Sequence, residues 1–270
     1  MTAATGQAAI RHIVVALDAS ESGRPVVETA VRLAAILGAR LEGVFIEDIN
    51  LIRLAGLPFL RELRYWSLAE ETFDTLRMQR ELRTLARRAE QMLEQAAREL
   101  GVPWSFQVWR GRAGAESLAR AFAADILGVY RSGSLTASRA GIAPRPGMPR
   151  FPQAAAAVNV LFSDSQQAVR ALTTACILAR DMTAPLNVLL PAVRHKTMRA
   201  LKAKARGILK SHAQTARFVP LADSGVQCLA RAALASGVCV LIAEAGHPLL
   251  QQPGLDQCLD TLPCPVLLVR

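Results

Sequence analysis

The sequence predicts an α/β protein made of two tandem, doubly wound parallel-sheet domains. Short, apolar, β-branched runs alternate with longer stretches whose apolar residues recur at three- and four-residue steps, as in strands alternating with amphipathic helices. The order strand, polar cap, helix, strand occurs twice, at a period of about half the chain. A stretch rich in Gly, Pro and Ser at 132–152 stands between the copies, so the domains are expected at 1–150 and 153–270.

In the first copy, residues 12–18 (HIVVALD) read as a buried strand, and Ala19, Ser20, Glu21, Ser22 and Gly23 as the turn that opens a helix. From Arg24 onward, Val26, Val27, Ala30, Val31, Leu33, Ala34 and Leu37 form one helical stripe, with Gly38 placed to stop it. Residues 40–46 give the second strand. A charged helical pattern at 76–100, a strand at 104–109, a short helix at 115–124 and an apolar strand at 125–130 follow. In the second copy the same order runs through a strand at 157–162, Ser163, Asp164 and Ser165 as the cap, a helix at 167–182 and a strand at 186–190. A basic helix at 196–211, a strand at 216–221, a helix at 226–235 and a strand at 238–243 complete it. Strands joined through helices pair in parallel, with right-handed crossovers.

Two segments break the duplication. Residues 50–74 have no partner in the second copy and mix Arg with Leu, Phe, Tyr and Trp, which reads as a helical insertion or lid over the sheet edge. The 132–152 stretch occupies the place where the first copy needs a fifth strand, whereas the second copy has one at 265–269. An edge left open in this way calls for pairing with another strand, from the other half or another chain.

Composition narrows the class. With 51% hydrophobic and 20% charged residues in 270, the chain is globular, and no uncharged apolar run is long enough to span a bilayer. The first residues lack the pattern of a secretory signal, and five cysteines without paired spacing fit reduced thiols, so a cytoplasmic location is expected. The formal charge of +10 is spread over both halves, 20 basic against 16 acidic residues over 1–150 and 12 against 6 over 151–270. Such a charge favours weak attraction to nucleic acid or an anionic surface without establishing specific recognition, so a nucleic-acid partner is not expected, and without a spanning segment neither is a membrane one.

The runs Ile13-Val-Val-Ala-Leu-Asp18-Ala-Ser20-Glu21, Leu33-Ala-Ala-Ile-Leu-Gly-Ala39 and Leu41-Glu-Gly-Val-Phe-Ile-Glu-Asp48 resemble the opening of a universal stress protein domain. The closing Leu262-Pro-Cys-Pro-Val-Leu-Leu-Val-Arg270 is similar to that family's last strand. The resemblance implies an adenine-nucleotide-binding α/β fold of the HUP type, with the two copies as an internal pseudo-dimer, or a homodimer of chains. It also implies a stress-response or regulatory binding protein rather than an enzyme. In nucleotide-binding members an Asp at the end of the first strand meets the adenosine, and a loop G-x2-G-x9-G-(S/T) after the fourth strand wraps the phosphates. Glycine backbones there let N–H groups reach phosphate oxygens at the carboxyl ends of the strands.

Carried over by position, the resemblance places an adenine-nucleotide site, ATP or a relative, on Ala16, Asp18, Ile46 and Gly133. The first-half loop departs from the pattern, with Tyr130 for the first glycine and Ala143-Pro144 for the last pair. In the second half Ser163 replaces the Asp, Ala243 the first glycine and Asp256-Gln257 the last pair, while Gly246 is kept, so that half is expected to bind no ATP. The chain thus has at most one nucleotide site, and the alternative is a scaffold that binds protein partners and no nucleotide.

Each candidate has a plainer reading. Asp18 is also a good helix cap, and Arg131, Ser132, Gly133 and Ser134 form either an anion nest or a linker. His247, Cys258 and Cys264 lack the spacing of a metal site and read as core residues. No His stands with a Ser or Cys and a carboxylate as a triad. The basic run from Arg194 to Lys210 reads as a surface for nucleic acid or an acidic partner or, more plainly, as a solvated helix face, and Arg80, Arg83, Arg87 and Arg88 with Glu81, Glu90 and Glu94 as an ion-paired face. Leu57, Pro58, Phe59, Leu60, Tyr65 and Trp66 are the candidate protein-partner surface, or else cover their own sheet.

Overall fold

A computed structural model describes residues 9–17, 23–48, 61–63, 70–72, 75–111, 123–129, 157–262 and 264–270. In chain order these form β1 (His12–Leu17), α1 (Arg24–Leu37), β2 (Arg40–Asp48), β3 (Arg61–Leu63), β4 (Glu70–Thr72), α2 (Thr75–Glu99), β5 (Trp104–Gly111) and β6 (Ile126–Val129). The second half forms β7 (Ala157–Leu161), α3 (Gln166–Asp181), β8 (Leu186–Leu190), α4 (His195–Ser211), β9 (Arg217–Pro220), α5 (Val226–Ala235), β10 (Val238–Glu244), α6 (Leu255–Thr261) and β11 (Val266–Val269).

Nine strands make one sheet in the order β5-β2-β1-β6-β11-β10-β7-β8-β9. All neighbours are parallel except β6 and β11, which run antiparallel from Val129↔Val266 to Ile126↔Val269. The fifth strand missing from the first half is therefore the last strand of the chain. β11 completes its own half and closes the open edge of the other. The inner strands β1, β6, β7, β8 and β11 are covered on both faces, which explains why they read as apolar runs, whereas the edge strands β5 and β9 stay partly exposed. One face packs on α1 to α4 as a single core that runs through both halves, from Ile13 and Phe45 to Phe162 and Leu190. The other face packs on α5, α6 and the 3-10 turn Pro248–Gln251.

Local chemistry sets the helix ends. Pro25 opens α1, and Gly38 at φ 63° stops it, its N–H donating to the Ala34 carbonyl. Ser165 caps α3, its hydroxyl accepting from the Ala168 N–H at 2.8 Å. Gly128 is needed where β6 passes under α1, because a Cβ there would lie 3.1 Å from a Val26 methyl.

Two expectations change. The described parts of the 50–74 insertion are not helical, since β3 and β4 pair antiparallel from Arg61↔Thr72 to Leu63↔Glu70. The backbone groups of 61–63 and 70–72 thus pair across strands instead of along a helix. The second-half segment after β10, on which the phosphate-loop pattern was laid, holds a 3-10 turn and α6, because Leu249, Leu250, Cys258, Leu259 and Leu262 anchor it to the sheet. The short helix expected at 115–124, the linker and the aromatic partner surface lie outside the described residues, except that Ala123 and Ala124 are not helical.

Candidate functional site

In an open α/β sheet a ligand crevice forms at the carboxyl ends of two adjacent strands whose connections lead to opposite sides. This sheet has two such points. β1 is flanked by β2 and β6, and β7 by β8 and β10. The crevices are thus β1/β6 and β7/β10, one in each half.

The β7/β10 crevice is filled from within. Glu244, the last residue of β10, is buried, and its carboxylate accepts from the Ser163 hydroxyl at 2.6 Å and from the Ser165 hydroxyl. Ser163 in turn accepts from the Ser165 N–H at 3.2 Å, so the carboxylate, two hydroxyls and the α3 cap form one network. His247 donates its N–H to the Glu244 carbonyl at 3.2 Å, and its Nδ1 accepts from the Leu249 N–H at 3.1 Å, which caps the following turn. Burial pushes the His247 imidazole below its ordinary value, against the opposing pull of Glu244. A fixed carboxylate at the strand end repels phosphate, and its hydroxyl partners are already used. Glu244 was not singled out from the sequence, where it is one acidic residue at the end of an apolar run.

The β1/β6 crevice has a different floor. Ala16 and Ile46 lie on the same sheet face, both buried, near the carboxyl ends of adjacent strands. Of the four positions carried over from the resemblance, these two are brought together. Asp18 follows the last residue of β1, and it and Gly133 lie outside the described residues. On the opposite face Glu47 is buried at the end of β2, and Arg110 of β5 donates to it from Nε at 2.5 Å. This paired carboxylate was not singled out from the sequence, where it reads as one more acidic residue before a loop.

Strand register also corrects the alignment of the two halves. Val15 pairs with Gly128, and Val160, which holds the same place in β7, pairs with Ile242. Glu244 is therefore the counterpart of Tyr130, one position on from the residue, Ala243, that motif spacing sets there. At that position of the sequence the second half has a carboxylic acid and the first half a tyrosine, which lies outside the described residues.

No protein-family model and no curated protein matches the chain. Among solved structures, a universal stress protein from Archaeoglobus fulgidus DSM 4304 superposes with a TM-score of 0.53 at 11% identity, over 96% of this chain and 98% of that one. The chain has the fold of a universal stress protein. A putative universal stress protein from Pseudomonas aeruginosa UCBPP-PA14 is also similar, at a TM-score of 0.48 and 13% identity, over 97% and 93% of the two chains.

Within this universal stress protein fold all five cysteines are free thiols. Burial pushes the Cys176 and Cys239 thiols up to about 11, and raises Cys258 and Cys264 as well, so all four are protonated and unreactive near neutral pH. Among the described residues no three His, Cys, Asp or Glu side chains converge as metal ligands, and no helix is long and apolar enough to cross a membrane. Asp125 ties the halves together. Its carboxylate accepts from the Arg11 and His12 N–H groups at 2.8 and 3.1 Å and from Arg170 of α3 at 3.4 Å, while its carbonyl accepts from the Arg270 N–H at 2.9 Å. Burial alone would raise this carboxyl, but the two backbone donors and the Arg170 guanidinium outweigh it and hold it below the usual value of 3.8.

Proposed function

We propose that the protein is a universal stress protein-like regulatory factor that acts by binding, with a single adenine-nucleotide site at the β1/β6 crevice. The observation that carries this reading is the asymmetry of the crevices. Glu244, Ser163 and Ser165 occupy the second, whereas the first combines an apolar floor of Ala16 and Ile46 with a carboxylate, Asp18, one position past β1. Asp18 would accept from ribose hydroxyls, Ile46 would meet the adenine through its backbone, and Gly133 would approach the phosphates. Binding rather than turnover fits this residue set, which supplies neither a metal clamp nor a positioned base for phosphoryl transfer.

A second reading, a scaffold that binds protein partners and no nucleotide, is favoured by one feature. Tyr130 stands where a phosphate loop needs its first glycine, and a side chain there hinders close approach of the backbone. Mass spectrometry of small molecules released from freshly purified, denatured protein tests both. The nucleotide reading expects adenine nucleotide from the wild type and none from Asp18→Ala. Release from neither, with no change in melting temperature in millimolar ATP, discards the site in favour of the scaffold.

A further inference from the structure

The two outer helices on the shared face hold equivalent places, since α2 follows the second strand of the first half and α4 the second strand of the second. Their charge is not equivalent. α2 carries Arg77, Arg80, Arg83, Arg87, Arg88 and Arg98 together with Glu81, Glu90, Glu94 and Glu99, and pairs Arg98 with Glu94 at 2.7 Å. α4 carries Lys196, Arg199, Lys202, Lys204, Arg206 and Lys210 and no acidic residue. The acid-free stretch is longer than the helix, because no Asp or Glu occurs between Asp181 and Asp223.

The helix turns these charges into a line. Lys196, Arg199, Lys202, Arg206 and Lys210 recur at three- and four-residue steps, so they share one side of α4. At 1.5 Å per residue the row is about 21 Å long, with a cation roughly every 5 Å. Lys204 points elsewhere and is paired with Asp164 at 2.7 Å. None of the five has a carboxylate partner among the described residues. Arg206 lies 5.6 Å from the centre of the Phe218 ring, which places the row toward β9, the last strand of the sheet, where Arg217 is also exposed. A charge excess that is spread out in the sequence is thus gathered along one edge of the fold.

We propose that this row is a binding surface for the phosphate backbone of nucleic acid, engaged without reading its sequence. A polyanion with evenly spaced charges matches a straight, evenly spaced row of cations, and release of its counterions drives association. The apolar side of α4, Leu201, Ala205 and Leu209, is buried in the core, so the helix has no face to insert into a lipid surface. The row also lacks the exposed aromatic anchor on which protein interfaces concentrate their affinity, since Arg206 covers Phe218.

The test is fluorescence anisotropy of a labelled 20-base-pair duplex of arbitrary sequence, titrated with the full chain between 50 and 200 mM NaCl. Three variants accompany the wild type. One replaces all five residues by Gln, a second replaces only Lys196, Arg199 and Lys210, leaving Lys202 and the ring-stacked Arg206, and a control carries Arg80→Gln, Arg83→Gln and Arg87→Gln on α2. Five phosphate contacts give a slope of log K against log salt of about −4.5. The three-residue variant should be shallower by about 3 in slope, the five-residue variant should lose detectable binding, and the α2 control should match the wild type. A wild-type slope shallower than about −2, or an equal loss in the α2 control, overturns the proposal. So does tighter binding to phosphatidylserine vesicles or to polyglutamate than to the duplex at matched charge.

Discussion

The two halves share one plan but stop their helices differently. In the first, α1 and α2 end in glycines at φ 63° and 64°, Gly38 and Gly101. In the second, α3 and α4 end in Thr183 at φ 52° and Ala213 at φ 51°, side chains held in a left-handed conformation that glycine adopts without penalty. The hydrogen bonds are the same, as Ala39 N–H to the Ala34 carbonyl corresponds to Ala184 to Ala179, and Val102 to Ala97 corresponds to Gln214 to Leu209. The turn is therefore imposed by the helix end and its return to the sheet, and residue identity only tunes its cost. The crevices show the same relation with a different result. Equal strand positions hold buried apolar residues, Ala16 and Ile46, in one half and a closed Ser-Glu-Ser network in the other.

The largest effect should come from breaking what the halves share. Leu267 of β11 is fully buried in the common core, and Leu267→Ala should cost about 3 kcal/mol, within the range of roughly 2–5 for such sites. Urea unfolding followed by far-UV and near-UV circular dichroism should show one transition shifted as a whole. Two separated transitions would mean that the halves are independently stable, against a shared fifth strand.

Giving the second crevice the first half's residue should come next. Ser163→Asp places a carboxylate where a hydroxyl now sits 2.6 Å from Glu244, and two like charges at that range cost about 3 kcal/mol. Ser163→Asp with Glu244→Gln should recover most of the loss in thermal melts. An unchanged melting temperature for the single variant would show that the network is not closed.

Asp125→Ala should cost about 2 kcal/mol, because it removes the acceptor for Arg11, His12 and Arg170 at the seam. The pH dependence has a definite sign. The folded carboxyl titrates below 3.8, so its stabilisation is fully present above that value and is lost as pH falls through the lower folded value. Melting temperature should drop below about pH 4 more steeply in the wild type than in Asp125→Asn. Parallel pH profiles would remove Asp125 from the account of the seam.

The smallest effect has the opposite sign. Thr183→Gly or Ala213→Gly should stabilise by up to about 1 kcal/mol, while Gly38→Ala should destabilise by about as much. Equal losses in all three, read from urea midpoints, would contradict the strain assigned to the second half.

Much of this protein is determined by local chemistry along the chain, and that part was legible in the sequence. Buried parallel strands need apolar residues on both faces, helices need a stripe, and helix ends need a Pro, Ser or Gly, so His12–Leu17, Arg24–Leu37 and Gln166–Asp181 could be located without neighbours. The burial of Ala16 and Ile46 in their strands was legible for the same reason. Three features were decided only in three dimensions, because each depends on groups far apart in the chain. The pairing of Ile126–Val129 with Val266–Val269 supplies the first half's missing strand, since unpaired backbone on an edge is satisfied by whichever strand the packing brings alongside. Glu244 meets Ser163 and Ser165 across about 80 residues, so an ordinary acidic residue becomes the plug of a crevice. The register of β10 on β7, set by side-chain packing on both faces, places that carboxylate one position away from where motif spacing alone would set it.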